Sequence, residues 1–114
     1  MKDEIKIVYQ KRYKGRNLVV KKFSPTEHVR GWFTGYVELL PGDDFDFPII
    51  SNDPNVLSAF ESFPGGVTFR DPLQDMDDNS IYVGFDTMHW GMENLNENDC
   101  IKALKKTVDR LENL

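Results

Sequence analysis

Asp86 and His89 come nearest to a catalytic or metal-binding pair in this sequence. A carboxylate and an imidazole three positions apart, directly after a predicted strand, can share a metal ion, and Glu93 is the candidate third ligand. The same two side chains can form an acid/base pair in which the carboxylate fixes the tautomer of the imidazole. Neither site has a completing partner in the sequence. We therefore favour the interpretation that Asp86 caps the following turn and that His89 packs beside it.

Other reactive groups give weaker patterns. Cys100 lies at the start of a predicted helix, where the helix dipole would lower the pKa of its thiol. No histidine neighbours it, so we predict a small core or boundary residue. Gly65 and Gly66 precede a strand, and no Lys-Ser/Thr pair follows them, which indicates a close backbone approach or a bulge rather than a phosphate loop. The sequence predicts no catalytic residue, no resident metal and no cofactor.

Aromatic and cationic residues give a better binding pattern. Trp32 and Tyr36 are four apart on one predicted strand and therefore project from the same face. Stacking of a base on an aromatic ring is worth about 1–3 kcal/mol, and arginine binds phosphate through two hydrogen bonds. If the third, fourth and fifth strands are neighbours, these groups can meet at one edge and bind a small cyclic nucleotide. The predicted ligand-binding residues are Arg30, Trp32, Tyr36, Phe69, Arg70, His89 and Trp90, with Lys21 and Lys22 as further cations.

The alternative interpretation is that the two tryptophans and Tyr36 pack in the core or in an interface. Large aromatic side chains bury a large apolar area, which is their commoner use. The sequence leaves both interpretations open.

Periodicity predicts the elements that position these residues. Alternating residues predict a hairpin over 4–23, and further strands are predicted over 32–39, 67–70 and 81–86. Asp53-Pro54 predicts the start of a short helix that Pro64-Gly65-Gly66 ends. Spacings of three and four residues predict the longer, C-terminal helix, with its apolar stripe at Ile101, Leu104, Val108 and Leu111. The fold class expected is α+β, an antiparallel sheet of about five strands with two helices on one face, in one domain over 1–114.

Charge is unevenly distributed along the chain, whose net charge is −5. Residues 1–30 carry nine Lys/Arg against three Asp/Glu, whereas residues 31–100 carry one against fourteen. A globally acidic protein gains little from counterion release, which argues against duplex nucleic acid as a ligand. Basic and acidic patches on different copies favour a homo-oligomer, which would also cover the second face of the sheet. An unevenly charged, solvated surface is the simpler alternative.

Compartment is indicated by what the sequence lacks. The single cysteine excludes an internal disulfide. No apolar stretch reaches the length of a membrane-spanning helix, and the first residues lack a signal-peptide core. These features predict a soluble, cytoplasmic protein with no membrane partner.

Three segments carry a resemblance to a known family: Gly35-Tyr36-Val37, residues 64–69 and residues 82–89. In order and spacing they resemble a widespread group of small, uncharacterised bacteriophage and prophage proteins, over most of the chain from about Tyr13 onward. That group has a Gly-Tyr-Val strand, a His-Gly-Gly-Leu-Thr-Tyr strand and a Gly-Phe-Asp-Cys-Ala-His block. The family's first histidine is Pro64 here, its cysteine is Thr87 and its alanine is Met88, and its His-Pro-Leu-Tyr-Gly stretch is absent.

The resemblance implies a phage setting, the cytoplasm of an infected bacterium. Small phage proteins without catalytic motifs often bind something of the host, and the anti-CBASS sponges among them trap cyclic nucleotide signals of immunity. The function expected first is a phage inhibitor of host defence that sequesters such a signal without cleaving it. Two alternatives are an acidic inhibitor of a host protein, acting through the acidic middle of the chain, and a small metal-dependent enzyme using Asp86 and His89.

Overall fold

A computed structural model describes residues 5–25, 27, 30–41, 58–74, 76, 79–89 and 91–113. Its five strands form one sheet in the order β1-β2-β3-β5-β4, and every neighbouring pair is antiparallel. The predicted α+β class and five-stranded antiparallel sheet are therefore confirmed. The elements are β1 (Ile5–Tyr13), β2 (Arg16–Phe23), β3 (Trp32–Glu38), β4 (Phe69–Pro72), β5 (Ile81–Asp86) and the C-terminal helix α1 (Glu97–Glu112).

The prediction of two helices is not borne out. The predicted start at Asp53 lies outside the described residues, and within them only Ser58 and Ala59 are helical before α1. The chain then passes through tight turns, in which the amide of Phe63 donates to the carbonyl of Phe60 at 3.0 Å. Pro64 has no amide hydrogen with which to continue a helix, and the two glycines after it adopt positive φ.

Helix α1 is the predicted C-terminal helix. A capping box begins it: the Asn96 side chain accepts from the amide of Asp99, and the Asp99 carboxylate accepts from the amide of Asn96, both at 3.0 Å. Its buried residues are Cys100, Ala103, Leu104, Thr107, Val108 and Leu111. All of these except Thr107 belong to one hydrophobic cluster with Leu18, Val20, Val37, Val83 and Phe85, on one face of the sheet. No helix in the described part of the chain is long and apolar enough to cross a membrane.

The other side of the sheet, here called the open face, carries the alternate residues of each strand. Val19, Tyr36 and Tyr82 are buried there, and Leu73 and Met76 pack against them. The segment after β4 therefore covers part of this face. None of the described residues in this cluster covers the part of the open face beside Trp32.

Two glycines accommodate aromatic rings of the neighbouring strand. Gly35 of β3 pairs with Phe85 of β5, and Gly84 of β5 pairs with Tyr36 of β3. A Cβ atom on Gly35 would lie 2.6 Å from the Phe85 ring, and one on Gly84 would lie 2.6 Å from the Tyr36 ring. The two rings lie on opposite faces, so each glycine makes room for an aromatic residue where a side chain would collide.

Asp109 of α1 bonds to residues of the turn between β1 and β2. The hydroxyl of Tyr13 donates to Asp109 Oδ1 at 2.8 Å, and Lys14 Nζ lies 2.7 Å from the same oxygen. Hydrogen bonds from Lys14 and Tyr13 lower the pKa of Asp109. The hydrogen bond to Asp109 is also the main reason that the pKa values of Tyr13 and Lys14 are raised.

Asp109→Asn is expected to flatten the loss of stability in acid. A carboxyl whose pKa is lowered by folding stabilises the fold above its unfolded pKa of about 3.9, and that contribution is lost as pH falls through the folded value. Folding raises the pKa values of Tyr13 and Lys14. Their contribution to stability is therefore present below about pH 10 and is lost as the pH rises above that value. Urea unfolding from pH 2 to 6 measures the acid effect, with Tyr13→Phe as a partial variant. Parallel acid profiles of wild type and Asp109→Asn would contradict the assignment.

Candidate ligand-binding groove on the open face

A groove of about 410 Å³ lies on the open face across β3, β5 and β4. Three of the predicted ligand-binding residues, Trp32, Tyr36 and Phe69, line it together. The condition on which the sequence argument for a binding site depends, that the third, fourth and fifth strands are neighbours, is met, with β5 between the other two. The complete lining is Trp32, Thr34, Tyr36, Thr68, Phe69, Phe85, Asp86 and Met88.

Strand register arranges the groove in three rows across the sheet. Lys21 pairs with Thr34, which pairs with Asp86, and we call these three residues the polar row. Adjacent strands lie roughly 4.7–4.9 Å apart, so the Cα atoms of Lys21 and Asp86 are about 10 Å apart. Phe23 and Trp32 form the row on one side. Tyr36, Gly84 and Phe69 form the row on the other side. The polar row thus lies between two aromatic rows.

The aromatic rows are well packed. Phe23 and Trp32 stack with centroids 4.6 Å apart and planes at 8°. Tyr36 meets Phe69 edge to face, with centroids 5.1 Å apart and planes at 80°. Lys21 Nζ lies 5.4 Å from the centroid of Tyr36, which places a cation beside the groove.

Asp86 supplies the carboxylate of the polar row. Its Oδ2 accepts from the Thr68 hydroxyl, and its Oδ1 accepts from the amide of Met88, both at 3.0 Å. The second bond closes the turn after β5, as the sequence interpretation of Asp86 as a turn cap requires. The side chain remains 28% exposed. A partly exposed carboxylate in an aromatic groove can still bind a ligand.

His89 lies beside Asp86 but is poorly directed toward it. Its Nε2 is 3.1 Å from Asp86 Oδ1, yet Nε2 makes no hydrogen bond of acceptable geometry with any described residue. We therefore interpret the contact as close packing of the two side chains and not as a directed acid/base hydrogen bond. The ring packs on Gly65, where a Cβ atom would lie 2.9 Å from it. Gly65 thus provides the close backbone approach that the sequence indicated.

The metal-site alternative is not supported by the geometry. Among the described residues, no three His, Cys, Asp or Glu side chains converge to hold a metal ion. The Glu93 side chain instead bonds within the local chain: its Oε2 accepts a hydrogen bond from the amide of Gly91 at 3.4 Å. The backbone amides of Glu93 and Gly91 lower its pKa, and Arg30 adds a smaller effect in the same direction.

Arg30 and Arg70, two further predicted ligand residues, do not line the groove. The Arg30 guanidinium donates to the carbonyls of Thr87 at 2.6 Å, Gly31 at 3.1 Å and His89 at 3.4 Å, so it ties the chain after β5 to the start of β3. Arg70 is exposed and pairs with Val83, which places it on the opposite face from Phe69. Trp90 lies outside the described residues.

Two threonines of the groove were not predicted. Thr34 lies between Trp32 and Tyr36 in the alternation of β3, so the strand period was a sufficient signal for it. Its hydroxyl is buried and has no hydrogen-bond partner among the described residues. Thr68 precedes β4, and two bonds to β5 place it at the groove: its amide donates to the carbonyl of Gly84 and its hydroxyl donates to Asp86.

Cys100 is a core residue, as predicted, but the expected effect of the helix dipole is wrong. Burial raises the pKa of its thiol to about 12, and the charges of Asp99 and Glu97 add to the rise. Desolvation disfavours the thiolate more than the helix N-terminus favours it. The thiol is therefore not an activated nucleophile.

Comparison with known proteins found no match: no family model and no curated protein matches the sequence, and no solved structure matches the fold. The resemblance to phage proteins therefore stays a prediction. The acidic-inhibitor alternative also stays a prediction, because half of the fourteen carboxylates of residues 31–100 lie outside the described residues, namely Asp43, Asp44, Asp46, Asp53, Asp75, Asp77 and Asp78. The groove is thus the feature from which function is argued.

Proposed function

We propose that this protein binds a small nucleotide in the groove and holds it without cleaving it. The observation that carries the proposal is the polar row lying between two aromatic rows. A nucleotide has the complementary parts, a flat base and an anionic phosphate. The groove volume lies within the usual range of about 300–1,000 Å³ for small-molecule sites.

Stacking and charge supply the binding energy. Extending the Phe23–Trp32 stack by one base is worth about 1–3 kcal/mol. Lys21 offers the cation for phosphate at one end of the polar row. The buried hydroxyl of Thr34 offers a hydrogen bond that no described residue satisfies. These contacts bind a ligand and do not by themselves break a bond in it.

The biological role follows from the resemblance. A phage protein that acts in the cytoplasm of an infected bacterium would sequester a cyclic nucleotide signal of host immunity. A cyclic dinucleotide has two bases, whereas one groove offers one Phe23–Trp32 stack. We therefore propose a homo-oligomer in which two copies share one ligand, and the partly uncovered open face is the surface that the second copy would meet.

The test is a thermal-shift and calorimetric panel of cyclic dinucleotides, cyclic trinucleotides and linear nucleotides. A ligand at a hundred times its Kd adds about 2.7 kcal/mol, which raises the Tm of a domain this size by about 10 °C. The bound nucleotide should be recovered unchanged after denaturation. Trp32→Ala should abolish the shift.

Lys21 and Lys22 provide a matched pair of variants. They are adjacent on β2, but Lys21 lies on the open face and Lys22 on the other. Lys21→Ala should weaken binding at least fivefold, whereas Lys22→Ala should leave it unchanged. Equal effects of the two variants, or no shift with any nucleotide, would refute the proposal.

A further inference from the structure

At the Asp86 end of the groove, the side chains of Asp86 and Thr68 present hydrogen-bond acceptors. An ionised carboxylate has only acceptor sites. The Thr68 hydroxyl uses its single hydrogen to donate to Asp86 Oδ2, so its oxygen presents only lone pairs to a ligand. Two acceptor oxygens 3.0 Å apart therefore line this end of the groove.

The two oxygens of Asp86 are not equally available. Oδ1 accepts from the amide of Met88 and lies 3.1 Å from His89 Nε2. Oδ2 has the Thr68 hydroxyl as its hydrogen-bond partner, and a carboxylate oxygen has two lone-pair sites. Oδ2 is thus the oxygen with capacity for a ligand, next to the acceptor oxygen of Thr68.

We infer that the groove selects a guanine-type base, whose adjacent N1–H and exocyclic amine donate to Asp86 Oδ2 and Thr68 Oγ1. This inference rests on the proposed nucleotide binding and adds the identity of the base. Adenine presents a ring acceptor next to its amine, and that ring nitrogen would face an acceptor oxygen. Hydrogen bonds to the Watson–Crick edge are the general means by which proteins distinguish an unpaired base.

Charge fixes the orientation of the ligand in the groove. Phosphate is repelled by the Asp86 carboxylate and attracted by Lys21, whose Cα atom lies about 10 Å from that of Asp86 along the polar row. The base edge therefore meets Asp86 while the phosphate meets Lys21. A ligand in the reverse orientation would place its phosphate against the carboxylate and forgo the attraction of the Lys21 ammonium.

The experiment compares cyclic di-GMP, cyclic di-IMP and cyclic di-AMP by titration calorimetry on the full chain. Inosine keeps N1–H and lacks the exocyclic amine, so we expect affinity in the order guanine, hypoxanthine, adenine. The guanine-to-adenine ratio should be about tenfold to a hundredfold, the usual discrimination of a good base contact. Asp86→Asn, which replaces one acceptor by a donor, should reduce that ratio to less than threefold.

Thr68→Val is the second variant, because Asp86→Asn also alters the turn at Met88. It removes one acceptor at the groove and should lower the guanine preference while leaving Trp32-dependent stacking in place. Equal wild-type affinity for the three ligands, or an unchanged ratio in both variants, would overturn the base assignment and leave the proposed function standing. Absence of binding to all three ligands would overturn both.

Discussion

Replacing Gly84 by alanine is expected to destabilise the fold by about 3 kcal/mol or more. The new Cβ atom would lie 2.6 Å from the carbonyl oxygen of Gly35 and 2.6 Å from the ring of Tyr36. A side chain can rotate, but the Gly35 carbonyl belongs to the adjacent strand and moves only if β3 and β5 separate. Overpacking against flexible side chains costs about 1–3 kcal/mol, and a backbone neighbour raises that cost. Thermal unfolding should show a Tm lower by about 12 °C or more.

The control is Gly15→Asn in the hairpin turn. Gly15 has a φ of +85° and no heavy atom within 4 Å of the Cβ position. Asparagine tolerates this region of φ better than other residues with a side chain. The control should therefore lose less than about 1 kcal/mol. Similar losses in the two variants would show that the close approach of β3 to β5 is not the reason for Gly84.

Truncating Phe85 to alanine is expected to cost about 3–5 kcal/mol. Its ring is buried, with the centroid of the Phe63 ring 4.8 Å away. The ring also occupies the space above Gly35, where a Cβ atom would lie 2.6 Å from it. Gly35→Ala alone should therefore be destabilising because of this collision.

The two substitutions together are expected to be less harmful than the sum of their separate effects. Without the Phe85 ring, the methyl group that Gly35→Ala introduces has room and fills part of the cavity. Residues in contact show coupling free energies of about 0.5–3 kcal/mol. Urea denaturation of the wild type, both single variants and the double variant measures this coupling as a double-mutant cycle. Additive effects would contradict the packing of Phe85 over Gly35.

These glycines give a structural reason for two of the three segments that carry the resemblance. In Gly35-Tyr36-Val37 and Gly84-Phe85-Asp86, each glycine faces the aromatic residue of the other segment. The paired segments hold Tyr36 in the wall of the groove and Asp86 at its acceptor end. A defect at Gly84 should therefore weaken ligand binding as well as stability.

Local patterns in the sequence were sufficient for the elements and for part of the groove. The period of two in a strand places Trp32 and Tyr36 on one face whatever the rest of the chain does. The apolar stripe and the cap at Asn96 define α1 in the same local way. The first predicted helix had local signals too, but its predicted start at Asp53 lies outside the described residues, and the chain is already in turns at Phe60, before Pro64.

Only the tertiary structure decided which residues meet across strands. The order β3-β5-β4 brings Asp86 next to Thr34 and places β4 at the edge of the sheet, where the register directs Arg70 to the face opposite Phe69. Burial, which is also a property of the whole fold, reversed the expected effect of the helix dipole on Cys100. Periodicity is a property of neighbouring residues, whereas register and desolvation depend on segments far apart in the chain. The sequence by itself therefore determined which face Trp32 and Tyr36 share, and the folded sheet determined that Lys21, Thr34 and Asp86 lie between their rows.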